Sequence, residues 1–132
     1  MDRPRPQVVP LASVPPVPAE EAPTRVRIAR LVTRDRCGSN LLLGAAWMDP
    51  GEETNTWSSH DEDHTPQGDH WYGPVDETYY VIRGRLVLRY DEGELALGPD
   101  DAVYLPPGWH YHLRNDGDEP AFFVYSMTPT PE

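Results

Sequence analysis

Proline and glycine interrupt this sequence too often for long helices to form. The 132 residues include 16 prolines and 10 glycines, and turns that contain them separate short apolar runs. From Arg25 onward the chain reads as a series of short strands between these turn signals. We expect the strands at RVRIARLV, NLLLGAAWM, TYYVI, RLVLRY, ELAL, AVYL, WHYHLRN and AFFVYSM. Closely spaced short strands of this kind predict an all-β sandwich or barrel.

The length fits one domain with a terminal extension at each end. Residues 1–24 are rich in proline and carry no hydrophobic period, so we expect an extended arm that is either disordered or laid over a neighbouring subunit. Residues 25–127 are expected to form the barrel. Residues 128–132, TPTPE, read as a short tail that cannot continue a strand.

The charged residues and the single cysteine exclude several partners and chemistries. With 22 acidic and 11 basic side chains the net charge is -11, which would repel nucleic acid and anionic membranes. The chain has no lysine, so Schiff-base chemistry is excluded. Cys37 stands alone, which excludes an internal disulfide and fits a reducing compartment. Because the N-terminal segment lacks a continuous apolar run, we expect a cytoplasmic protein without a signal peptide or membrane span.

The histidines are concentrated in one part of the chain, at His60, His64, His70, His110 and His112. Residues two apart on a strand share a face, so His70 and Tyr72 should point the same way. A turn at GPVD can then bring Glu77 back beside them. An imidazole, a phenol and a carboxylate in one place suit a divalent ion such as Fe, Mn, Zn or Ni. The sequence therefore predicts one bound divalent metal ion.

The stretch HWYGPVDETYYVIRG resembles the first motif of the cupin superfamily, H-x-H-x3-4-E-x6-G. His70, Glu77 and Gly84 are in register with this motif, and Tyr72 stands where a second histidine is usual. The resemblance spans roughly residues 40–127. It implies a double-stranded β-helix, which is the jelly-roll barrel of cupins, in a homodimer with one metal or ligand pocket inside each barrel.

The stretch DDAVYLPPGWHYHLRN is similar to the second cupin motif, G-x5-P-x-G-x2-H-x3-N. Pro106, Gly108 and Asn115 are in register, and Asp100 stands where the first glycine is usual. The histidine of this motif falls on Tyr111. His110 and His112 flank it, and strand alternation turns them to the opposite face.

Two arrangements of this strand are possible. Either the pocket holds Tyr111, or a bulge shifts the register and delivers His110 or His112 inward. Because Gly108 and Asn115 keep their places, we expect the unshifted register.

The resemblance implies roles for nine residues in total. The expected metal ligands are His70 and Glu77, with His112 and His110 in reserve. The expected catalytic residues, as ligand, base or lid group, are Tyr72, Tyr111 and His64. The residues expected to line the substrate pocket are Tyr79, which shares the face of Glu77, and Trp71.

A polar segment from Glu52 to Asp69 precedes the first motif and contains His60 and His64. Runs of charge usually stay in water, so we expect a solvated acidic loop. Long loops can also be functional, and the alternative is a lid that brings His64 or His60 to the metal.

The tyrosines determine which chemistry we expect. A phenol with a pKa of about 10 is a weak base, but a bound cation favours the phenolate. Cupins with tyrosine beside His and Glu include lyases and cyclising hydro-lyases, so the resemblance implies a metal-dependent lyase, cyclase or isomerase. A metal-activated tyrosine or histidine would transfer the proton in a small-molecule substrate. The alternatives are a mononuclear non-haem iron dioxygenase and a non-catalytic cupin that binds a small ligand.

Overall fold

The computed structural model describes residues 3–58 and 74–130, together with the backbone of 70–71. Within these ranges the chain forms ten strands and a single four-residue α-helix, which confirms the all-β prediction. The strands are β1 Arg27–Val32, β2 Leu42–Met48, β3 Trp57–Ser58, β4 His70–Trp71, β5 Asp76–Arg83, β6 Leu86–Tyr90, β7 Gly93–Leu97, β8 Ala102–Leu105, β9 His110–Arg114 and β10 Ala121–Thr128. The helix α1 is Arg34–Cys37, and 3-10 turns occupy Leu11–Ser13 and Ala19–Glu21.

Two five-stranded sheets enclose the core. The first sheet has the order β1-β2-β10-β5-β8, and the second has the order β4-β3-β9-β6-β7. Strands distant in sequence are neighbours in both sheets, as in a jelly-roll barrel. Every described pair of strands is antiparallel except β3 with β4.

Alternation along β5 and β10 determines which side chains face the core. Glu77, Tyr79 and Val81 are buried, whereas the intervening residues of β5 are exposed to solvent. On β10, Phe123 and Tyr125 are likewise buried, and Val124 between them is only partly buried. The sequence prediction that Tyr79 shares the inward face with Glu77 agrees with this geometry.

Two tight turns depend on left-handed backbone conformations. Gly84 has φ +83°, and a Cβ there would lie 2.6 Å from the carbonyl oxygen of Pro120. Only glycine avoids both the strain and the collision. Asp100 has φ +68°. This left-handed conformation explains why glycine is usual at its motif position, and aspartate is among the residues that tolerate it best.

Asn115, the last residue of the second motif, is buried and fully hydrogen-bonded through its side chain. Its side chain is 1% exposed, and Nδ2 donates to the carbonyls of Met48 at 3.0 Å and Glu119 at 2.8 Å. Its Oδ1 accepts from the Gly117 amide at 3.0 Å. Asn115 therefore has a structural role, joining the turn at 115–119 to the end of β2.

The N-terminal arm lies along its own barrel from Val17 onward. Val17 and Ile28 exchange backbone hydrogen bonds of 2.7 and 3.2 Å, and Ala22 is buried in the core. The carbonyl of Thr24 accepts from the Asn55 amide. Residues 17–24 thus lie against β1 of the same chain, and the expectation that the arm covers a neighbouring subunit stays a prediction. The homodimer stays a prediction.

No helix in the described ranges is long and apolar enough to cross a membrane.

Candidate functional site

Glu77 is a carboxyl group inside the apolar core. Its partners across the neighbouring strands are Met127 on β10 and Leu105 on β8, both buried. The indole of Trp57 donates a hydrogen bond from Nε1 to Glu77 Oε1 at 3.2 Å. Burial raises the pKa of Glu77 from its ordinary 4.5 to about 8, and the indole hydrogen bond lowers it only in part. Glu77 is therefore mostly protonated at neutral pH.

Trp57 reaches Glu77 because the segment before it pairs with β9. The Thr54 amide donates to the Leu113 carbonyl at 2.8 Å, and the Leu113 amide donates to Thr54 Oγ1 at 2.9 Å. Trp57 then lies opposite Tyr111 in β9. Within the segment expected to be a solvated acidic loop, Trp57–Ser58 is thus a short strand with a buried tryptophan. That part of the loop prediction is wrong, because backbone pairing with β9 outweighs the polar composition.

Tyr111 points into the barrel, as expected for the unshifted register. Its side chain is buried, and its ring centroid lies 5.6 Å from that of Trp57. The hydroxyl donates to the carbonyl of Pro106. Burial raises the pKa of this hydroxyl, and the nearby Glu77 adds to the effect. Tyr111 is consequently held as a neutral phenol.

His110 and His112 point away from the interior, because β9 keeps a continuous register with β6. Asp91 accepts hydrogen bonds from the amide and Nδ1 of His110 at 2.7 and 3.1 Å. His112 Nε2 lies 3.0 Å from Glu53 Oε1. The hypothesis that either histidine is a reserve ligand for an ion beside Glu77 is therefore not supported by their positions.

Aromatic rings surround the inner face of β5. Tyr79 lies with its ring centroid 6.4 Å from that of Trp57 and 5.0 Å from that of Phe123. Tyr125 is packed so closely over Gly44 that a Cβ there would lie 2.5 Å from its ring. The interior around Glu77 is thus apolar and aromatic.

Several predicted site residues lie outside the described part of the chain. These are Tyr72, His64 and His60, together with the side chains of His70 and Trp71. The backbone of 70–71 forms β4, in parallel register with β3, so that His70 is paired with Trp57. Trp57 itself is the residue that the sequence analysis did not assign to the site. The only sign of this role in the sequence is that Trp57 stands within an otherwise polar run.

The described residues alone do not fit a divalent metal ion. Among them, no three His, Cys, Asp or Glu side chains come together in a group that could hold one. Glu77 has one oxygen bound to the Trp57 indole, and the Tyr111 hydroxyl is bound to a carbonyl. The remaining predicted donors, on His70, Tyr72 and His64, lie outside the described side chains.

The comparison with known protein families supports the resemblance to cupins. The family model described as "Cupin domain" matches residues 47–127. The polyketide synthase protein CurC of Streptomyces cyaneus is 26% identical over 129 residues, which cover 98% of this chain and 73% of that protein. The tetracenomycin polyketide synthase protein TcmJ of Streptomyces glaucescens is 27% identical over 120 residues, covering 90% and 69%. The crystal structure of a predicted oxalate decarboxylase from Thermotoga maritima superposes with a TM-score of 0.71 at 15% identity, covering 93% of this chain and 99% of that one.

Proposed function

This chain belongs to the cupin domain family, and we propose that it is an enzyme of polyketide biosynthesis that transfers protons while its substrate cyclises or isomerises. The observation that carries the proposal is the buried carboxyl of Glu77. Its pKa of about 8 lies close to neutral pH, where a group can both give and accept a proton efficiently. Strongly shifted carboxyl groups of this kind are concentrated at functional sites.

The substrate class is suggested by the relatives and by the walls of the interior. Two relatives that cover most of this chain are named as polyketide synthase proteins. Tyr79, Phe123 and Tyr125 provide aromatic surface close to Trp57 and Glu77. Polyketides carry alternating carbonyl groups, and the carbon between two carbonyls is acidic. Such a chain combines an apolar body with the protons that Glu77 would move.

The proposed reaction needs one proton carrier. The ionised fraction of Glu77 removes a proton from the carbon between two carbonyls, which leaves an enolate and a neutral carboxyl. The enolate carbon forms a bond with a second carbonyl carbon of the same chain, and Glu77 returns its proton to the resulting alkoxide. In an isomerisation the proton returns to a different atom of the enolate.

Trp57 and Tyr111 have supporting roles in this proposal. The Trp57 indole fixes one oxygen of Glu77 and so orients the carboxyl. Tyr111, one of the two tyrosines expected as ligand or base, is held neutral by burial and donates to Pro106, so proton removal is assigned to Glu77. Cupins commonly bind a divalent metal ion, and dependence on a metal stays a prediction for this chain.

The test uses benzoylacetone, a 1,3-diketone whose enol absorbs in the ultraviolet. A stock rich in enol is diluted into buffer with the EDTA-dialysed protein, and loss of the absorption reports the return of a proton to carbon. The same measurement is repeated with Fe, Mn, Zn or Ni added. Glu77→Gln keeps the size and the hydrogen-bond acceptor for Trp57 but cannot carry the proton. Glu92→Gln, at an exposed position between β6 and β7, is the matched control.

We expect the wild-type chain and Glu92→Gln to accelerate the reaction with saturation, and Glu77→Gln to lose on the order of 100-fold of that acceleration. Equal rates in Glu77→Gln and the wild type would refute the role of Glu77. Saturable quenching of tryptophan fluorescence by benzoylacetone without any acceleration would indicate a binding cupin and refute the enzymatic proposal. Acceleration only with added metal would establish the metal dependence.

A further inference from the structure

A surface cavity lies on the outer face of the second sheet, where β3, β9 and β6 run side by side. Its volume is about 170 Å³. The lining side chains that can form hydrogen bonds or ion pairs include Thr56, Arg89, Asp91, His110 and His112. Because the two histidines alternate with the inward-facing Tyr111, they lie on the opposite face of β9 from the barrel interior. The two histidines therefore face the cavity and not the surroundings of Glu77, whereas Tyr111 belongs to the lining of both.

Arg89 brings a positive charge to this cavity, and the field of this charge helps to lower the pKa of the neighbouring Glu94. It is exposed, and within the described residues its guanidinium makes no hydrogen bond or ion pair. Its cross-strand neighbour Glu94 is already bound by Arg114 through contacts of 2.8 and 3.3 Å. In a chain with twice as many acidic as basic residues, an arginine without a carboxylate partner is unexpected. As far as the described residues go, its guanidinium is therefore open to a ligand.

Two of the carboxylates nearby, Asp91 and Glu53, are hydrogen-bonded by the histidines. Asp91 is bound by the amide and Nδ1 of His110, and Glu53 lies 3.0 Å from His112 Nε2. These contacts also fix both rings at the edge of the cavity. The Nδ1 atom of His112 is buried and has no hydrogen-bond partner among the described residues. A buried polar atom without a partner is uncommon in folded proteins and indicates a missing ligand or water.

We propose that this cavity binds a small oxyanion, such as a carboxylate or phosphate, with Arg89 as its anchor. The planar guanidinium presents paired N–H donors that match the two oxygens of such an ion. The buried Nδ1 of His112 accepts a hydrogen bond from a protonated phosphate oxygen or a bridging water, since Nε2 donates to Glu53. At about 30 Å³ per water molecule, a volume near 170 Å³ accommodates an ion of a few heavy atoms.

The test titrates inorganic phosphate and, separately, sodium acetate into the full chain. Binding is followed by the imidazole signals of the histidines in ¹H–¹⁵N NMR, at constant ionic strength. Arg89→Gln removes the proposed anchor. Arg83→Gln is the matched control, because Arg83 is an exposed arginine at the end of β5 whose guanidinium lies over the Phe122 ring. Both variants change the net charge by the same amount, and thermal melting verifies that both fold.

We expect the His110 and His112 signals of the wild type to shift saturably with at least one of the two anions. Arg89→Gln should bind that anion at least tenfold more weakly. Arg83→Gln should bind it with wild-type affinity. Arg89→Lys, which keeps the charge but not the paired donors, should bind with intermediate affinity. Glu77→Gln should bind the anion as the wild type does, which keeps this result independent of the proposed enzymatic function. The absence of saturable binding by either anion, or an equal loss in Arg89→Gln and Arg83→Gln, would overturn the proposal.

Discussion

The pKa of Glu77 makes the stability of the metal-free chain depend on pH. The folded chain holds the Glu77 proton up to a pKa of about 8, whereas an ordinary glutamate releases it near 4.5. The unfolded chain therefore binds fewer protons than the folded chain between these values, and the free energy of unfolding falls as the pH rises. At about 1.36 kcal/mol per pKa unit, the fall due to Glu77 between pH 5.5 and 8.5 is about 3 kcal/mol.

Glu77→Gln isolates this contribution, because glutamine accepts the same indole hydrogen bond but has no proton to release. Urea unfolding of the wild type and the variant, followed by tryptophan fluorescence in EDTA, gives the free energy of unfolding at both pH values. We expect the difference in free energy of unfolding, variant minus wild type, to rise by about 3 kcal/mol between pH 5.5 and pH 8.5. EDTA is essential, since a bound cation would favour the carboxylate and remove the effect.

Glu92→Gln is the control and should follow the wild type at both pH values, since Glu92 is exposed. The histidines and the negative net charge affect all three chains alike, so they cancel in the comparison. If the difference between Glu77→Gln and the wild type stayed the same at both pH values, the reasoning about buried Glu77 would be refuted.

Three further substitutions test the packing around the site. Trp57→Phe removes the donor that lowers the pKa of Glu77, so a ¹³C NMR titration of the Glu77 carboxyl should give a higher pKa than in the wild type; an unchanged or lower value contradicts the contact. Gly44→Ala places a Cβ 2.5 Å from the Tyr125 ring and should cost about 1–3 kcal/mol in thermal unfolding, so an unchanged melting temperature contradicts the close approach. Asn115→Ala loses three hydrogen bonds and should cost about 3 kcal/mol in urea unfolding, and a cost below about 0.5 kcal/mol would contradict its structural role.

The parts of the fold that depend on local alternation could be predicted from the sequence. The inward positions of Glu77 and Tyr79 follow from residue parity within β5 once that strand is recognised. The inward position of Tyr111 follows in the same way, because no register shift is found in β9 between its pairs with β6. Asp100 can replace the usual glycine of the second motif because it adopts the left-handed conformation that the turn requires.

Contacts that depend on distant pairing could not be predicted. β3 has only two residues and no hydrophobic period, and its inclusion in the second sheet depends on β9, which lies more than 50 residues further along the chain. The partnership of Trp57 with Glu77 follows from that pairing. The same holds for Arg89, which has no hydrogen bond or ion pair among the described residues because Arg114 on β9 reaches past β6 to bind Glu94 on β7.

The position of Glu77 supports the proposed function, because the fold would be more stable without the charge of this side chain. Its neighbours Met127 and Leu105 are apolar, and the single hydrogen bond from Trp57 leaves the pKa near 8. A glutamine would accept the same hydrogen bond with no ionisation cost, and so would serve a purely structural role better. Proteins retain such costly ionisable groups mainly where chemistry needs them. If Glu77→Gln stabilises the chain at pH 8.5 but abolishes the acceleration of benzoylacetone ketonisation, the carboxyl is retained for proton transfer and not for the fold.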